Sequence, residues 1–109
     1  MVSIKQEPKA EEAGMRDYEL VVIFNPELEE EKLEAAVDDV SQFITQGGGA
    51  VAEVDRWGKK KLAYPIKHFM EGHYVLTKFK MKPELSKELE ARLNISEEVL
   101  RHLLIRQGD

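Results

Sequence analysis

The chain has 109 residues, 42% of them hydrophobic and 34% charged, with a formal net charge of −5 and no cysteine. That length suits one domain with a modest core; the missing cysteines exclude disulfides, zinc thiolates and thiol nucleophiles, and no apolar run approaches the ~20 residues of a membrane helix. The first residues lack both the apolar core of a secretory signal and the arginine-rich, acid-poor look of a transit peptide, so the expectation is a soluble cytoplasmic protein.

Residues 1–14, MVSIKQEPKAEEAG, are polar and aperiodic and contain Pro8 and Gly14. They are expected to be a disordered extension ahead of a domain over 15–109. YELVVIF (Tyr18–Phe24) carries Leu20, Val22 and Phe24 on one face and Val21 and Ile23 on the other. This predicts a central strand covered on both sides. Asn25-Pro26 stops it and is expected to open a helix, with Glu27, Glu29, Glu30 and Glu31 suiting the positive end of its dipole. Leu33, Ala36, Val37, Val40 and Ile44 form the buried stripe of that helix. Gly47-Gly48-Gly49 ends it. Neither GxxxxGK[ST] nor GxGxxG is present, so the glycines read as a helix stop rather than a phosphate cradle.

Ala50–Ile66 reads as a long imperfect strand with a bulge or bend at Gly58. Leu62, Tyr64 and Ile66 alternate with Lys61, Ala63 and Pro65, and Pro65 cannot donate a ladder bond, which places this end at a sheet edge. Leu62 and Ile66 are expected to pack in the core. Lys67–Gly72 reads as a loop and Tyr74–Met81 as a strand with Val75, Thr77, Phe79 and Met81 on one face. Phe79 and Val37 are expected between sheet and helices. Pro83 suits a first helical turn, followed by the stripe Leu85, Leu89 and Leu93. In the tail, Val99, Leu100, Leu103 and Leu104 suit a helix, while Val99, Arg101, Leu103 and Ile105 alternate as on a strand; periodicity does not separate the two. If the tail is a strand, the order βαββαβ interlocks two right-handed crossovers. An antiparallel four-stranded sheet results, with two helices on one face, strands one and three central and strands two and four at the edges.

The charge is uneven. From Arg56 to Lys82 stand eight basic residues and one acid, Glu71, whereas Glu27–Asp39 holds seven acids and one base, Lys32. Two opposite blocks suggest one surface suited to phosphate and one that repels it. Catalytic chemistry is poorly served. His68, Glu71 and His73 sit at no established metal-ligand spacing, and Ser3, Ser41, Ser86 and Ser96 lie in no nucleophile-elbow context. An acylphosphatase-like enzyme of the same element order needs an arginine in a phosphate loop after strand one, where this chain has FNPELEEE. An RNA-recognition motif would need a basic residue and spaced aromatics across EGHYVLTKF (Glu71–Phe79); the basic position is Glu71 and the aromatic spacing fails.

MRDYELVVIFNP (Met15–Pro26), WGKKKLAYPI (Trp57–Ile66) and EGHYVLTKFKM (Glu71–Met81) resemble, in order and spacing, ribosomal protein six of the bacterial small subunit. The resemblance runs from Met15 to about Gln107. It implies the α+β, ferredoxin-like βαββαβ fold and so a strand in the tail. It also implies a structural protein of the ribosome with no catalytic activity, no cofactor and no small-molecule substrate. Its implied partners are the central domain of small-subunit ribosomal RNA and ribosomal protein eighteen, bound as a heterodimer.

Strand one then runs antiparallel to strands three and four, so Arg16, Lys80, Lys82 and Arg106 are expected to meet at one end of the sheet. Lys59, Lys60 and Lys61 form a second patch, and Arg101 starts strand four at the opposite end. These eight are the candidate phosphate contacts. Trp57, Tyr64, Pro65 and Tyr74 are the candidate contacts to a protein partner.

Overall fold

A computed structural model describes residues 14–107. The expected disorder of residues 1–14 therefore falls, Gly14 apart, outside the described residues. Four strands, β1 (Arg16–Phe24), β2 (Ala50–Ile66), β3 (Phe69–Met81) and β4 (Val99–Arg106), and two helices, α1 (Glu30–Gln46) and α2 (Ser86–Ile95), follow the order β1-α1-β2-β3-α2-β4. The sheet is antiparallel with spatial order β2-β3-β1-β4. The tail is thus a strand.

Alternation along β1 decides what each face does. Tyr18, Leu20, Val22 and Phe24 are buried. They join Val75, Phe79 and Met81 of β3, Leu33, Val40 and Ile44 of α1, and Leu89 and Leu93 of α2 in one core. Phe79 stacks on Tyr18 with ring centroids 5.6 Å apart, and Val37 is a half-buried neighbour of the same core. Both helices cover this face. The odd-numbered residues of β1 face the other way, onto a side that no helix covers.

Three local expectations need correction. Asn25-Pro26 does not open α1: the Asn25 side-chain oxygen accepts from the Glu27 N–H at 2.8 Å and its carbonyl from Leu28. That side-chain turn uses up the asparagine as a cap, and α1 begins only at Glu30. Lys67–Gly72 is not a loop. β3 already starts at Phe69, and only Lys67 and His68 turn, with φ of 50° and 73°. Two consecutive positive φ values match a type I′ hairpin turn, built here from residues that carry none of its usual signature. Finally, Leu62 and Ile66 lie outside the helix-side core, on the open face.

The glycine run ends α1 through bonds from the N–H groups of Gly47, Gly48 and Gly49 to the carbonyls of Phe43, Thr45 and Ile44. Gly72 matters by its missing side chain: a Cβ there would stand 2.3 Å from Ile23 Cγ2. Its absence lets Ile23 settle against β3.

Candidate RNA and partner interface

The open face is apolar around Val21 and Ile23 and charged farther along, where Lys78 lies 4.0 Å from both Glu19 and Glu53. Register pairs Val21 with Leu76 and Leu103, and Ile23 with Tyr74 and Arg101. None of Val21, Ile23, Leu76 or Leu103 belongs to the helix-side core, and Leu103 is 55% exposed. From Leu20 to Phe24 a single residue cannot tell this face from the other, because that part of β1 is hydrophobic throughout.

β2 shapes the face through its irregularities. Ala52 and Trp57 are single residues that the ladder skips, ahead of a longer unpaired stretch at Leu62–Pro65. At the second site Gly58 takes φ of +88°, a conformation that glycine accepts without a Cβ clash. The bulge turns Trp57 onto the open face, where it stacks on Tyr74 at 6.2 Å. Its indole N–H donates to Asp55 at 3.1 Å, and Lys60 Nζ lies 5.9 Å from its ring centroid. On the opposite side of β2, Arg56 reaches α1, with N–O distances of 2.6 Å to Glu30 and 3.6 Å to Glu34. The acidic helix start thus answers a basic residue of the strand as well as its own dipole.

Farther along, four residues of β2, Leu62–Pro65, stand between the pairs Lys61–Glu71 and Ile66–Phe69, against the single residue Met70. The surplus chain forms one wall of a 270 Å³ cavity whose other wall includes Val21, Ile23 and Leu103. Arg101 donates from Nη1 to the Tyr64 hydroxyl. Of the four candidate partner contacts, Trp57, Tyr74 and Tyr64 therefore gather on the open face, and Pro65 lies beside Tyr64 in an edge strand.

The candidate basic residues fall into groups. Register sets Arg16 opposite Met81, Asp17 opposite Lys80 and Tyr18 opposite Arg106, with Lys82 just beyond β3. By alternation Lys80 shares the open face, while Arg16 and Arg106 fall in line with the helix-covered side. The lysine run divides likewise. Lys60 pairs with Gly72 and sits beside Trp57, whereas Lys59 and Lys61, opposite His73 and Glu71, face the other way. Arg101 lies at the opposite end of β4 from Arg106. Sequence reading missed Val21, Ile23, Leu76 and Leu103 as surface, and Asp55 and Arg56 as partners that fix β2. The usable signal was β1 itself, whose second apolar face needed a cover that two helices on one side could not give. Among the described residues no group of three histidines or carboxylates is placed to hold a metal.

The model of the Ribosomal protein S6 family matches residues 17–106. The chain belongs to the ribosomal protein S6 family. It is 47% identical over 92 residues to small ribosomal subunit protein bS6 of Moorella thermoacetica, covering 84% of this chain and 94% of that one. Against bS6 of Carboxydothermus hydrogenoformans the identity is 45% over 93 residues, covering 85% and 97%. The crystal structure of 30S ribosomal protein S6 from Thermotoga maritima superposes with a TM-score of 0.81 at 33% identity, covering 85% of this chain and 88% of that one. As a member of the S6 family it is a structural constituent of the small ribosomal subunit, not an enzyme, and its place is the cytoplasmic ribosome.

Proposed function

We propose that this member of the S6 family binds the central domain of small-subunit ribosomal RNA as a heterodimer with ribosomal protein eighteen. The observation that carries the reading is the open face: an apolar, half-exposed area around Val21 and Ile23 with the Trp57–Tyr74 pair beside it and basic residues toward both ends, among them Lys80 next to Asp17. Such a surface suits a protein partner in the middle and phosphate at the margins. Trp57, Tyr64, Pro65 and Tyr74 meet the protein; Arg16, Lys59, Lys60, Lys61, Lys80, Lys82, Arg101 and Arg106 meet phosphates. The net charge of −5 leaves the isolated chain a weak field for RNA, so the partner supplies much of the neutralisation.

The test is RNA binding over a range of salt, by this protein alone, by the partner alone and by the pair. The pair binds a central-domain fragment far more tightly than this chain alone at physiological salt. Lys60→Gln or Arg16→Gln weakens binding by the pair, keeps the melting temperature, and flattens the log–log salt slope by about 0.7–0.9 for each phosphate that is no longer neutralised. Tight binding by the isolated chain, or unchanged slopes in both variants, overturns the assignment.

A further inference from the structure

Tyr64 and Arg101 belong to the two outermost strands of the sheet, β2 and β4, with β3 and β1 between them. At about 4.8 Å between neighbouring strands, three intervals separate the outer backbones by roughly 14 Å. The hydroxyl and the guanidinium nevertheless meet. The four-residue surplus at Leu62–Pro65 gives β2 the slack to reach inward, as a strap, and the open groove beside it is lined by strap residues on one side and β1 and β4 residues on the other. The hydrogen bond therefore ties together opposite margins of the open face, directly over the surface that the protein partner covers in the proposed function.

We propose that Tyr64 is a positioning residue for Arg101 and the link through which a docked protein partner strengthens RNA binding. The inference rests on the proposed function, since it takes Arg101 as a phosphate contact. An exposed arginine gives up rotamer freedom when it is fixed. Nη1 is committed to the Tyr64 hydroxyl, which orients the plane of the guanidinium and leaves the edge formed by Nε and Nη2 to take two phosphate oxygens. A partner packed on the strap holds the Tyr64 ring, so the ordering cost of Arg101 is met before RNA arrives. The coupling is reciprocal: RNA held by Arg101 also favours the strap geometry that the partner binds.

The experiment is a double-mutant cycle in the full chain, with ribosomal protein eighteen and a central-domain RNA fragment. Tyr64→Phe keeps the apolar ring and removes the acceptor. It weakens RNA binding by the heterodimer about three- to tenfold, as one side-chain hydrogen bond should. Arg101→Gln also weakens RNA binding and flattens the salt slope, whereas Tyr64→Phe leaves the slope in place because the phosphate is still held. In the Arg101→Gln background, Tyr64→Phe has no further effect. Additive losses, or an unchanged affinity in Tyr64→Phe alone, overturn the link while leaving the function standing. An Arg101→Gln variant with unaltered affinity and slope removes the RNA contact itself, and the link with it. If the heterodimer with the unsubstituted chain does not bind the RNA, the functional reading falls first.

Discussion

From Leu20 to Phe24 the two faces of the sheet are built from the same apolar residue types, yet one is sealed by helices and the other is not. Leu20, Val22 and Phe24 of β1 are at most 2% exposed beneath the helices. Val21 and Ile23, their immediate neighbours, look onto a face partly covered by a strap of β2. Apolar character alone does not make a core. What separates the two faces is whether the chain brings a continuous layer to cover them, and here the second layer stops short, as the proposed function requires.

The comparison is broken or sharpened most strongly by truncating one aromatic on each face. Phe79→Ala leaves a cavity in the covered face and should cost about 3–5 kcal/mol in urea unfolding. Tyr74→Ala, on the open face and stacked on Trp57, should cost about 1–2 kcal/mol, because it is only half-buried. Equal losses would make the open face a second core and remove the distinction. Gly72→Ala comes next. The new methyl would collide with Ile23 Cγ2, and the overpacking should destabilise by about 1–3 kcal/mol. Pairing it with Ile23→Ala should lose less than the sum of the two single changes, since the clash disappears with the isoleucine. The smallest effect belongs to Arg56→Ala. Its ion pairs to Glu30 and Glu34 join surface side chains, so the loss should stay below about 1 kcal/mol and shrink in high salt. A larger loss would show that β2 is held to α1 by charge rather than by its ladder with β3.

Much of this was legible in the chain. The stripe of α1, the alternation of β3 and the glycine stop each follow from one period or one residue type, and each stands in the structure as read. The tail was not legible by period, because Val99 and Leu100 are both buried at a bulge where the register against Ile23 and Phe24 slips. Resemblance to a family supplied what periodicity could not. The turn at Lys67-His68 escaped because nothing in those two residues announces a positive φ; the ladder on either side imposes it. Leu62 and Ile66 were misplaced for a related reason. Alternation tells which residues share a face, but the four-residue surplus beside Met70 breaks the count. The basic residues were legible as a population, while their division between faces needed the register.

The long pairing of β2 with β3 also sets a distance. Lys60 lies opposite Gly72 and Lys80 opposite Ala50, both on the open side, so eight residues of β3 separate them. At about 3.4 Å per residue that is roughly 27 Å, far beyond the reach of one side chain. A hydrogen-bonded ribbon neither stretches nor compresses appreciably, so under the proposed function the protein dictates the spacing of the two phosphates that these lysines would hold. In that reading the hairpin is a rigid gauge, and a folded RNA whose phosphates do not stand at that separation would engage only one end of it.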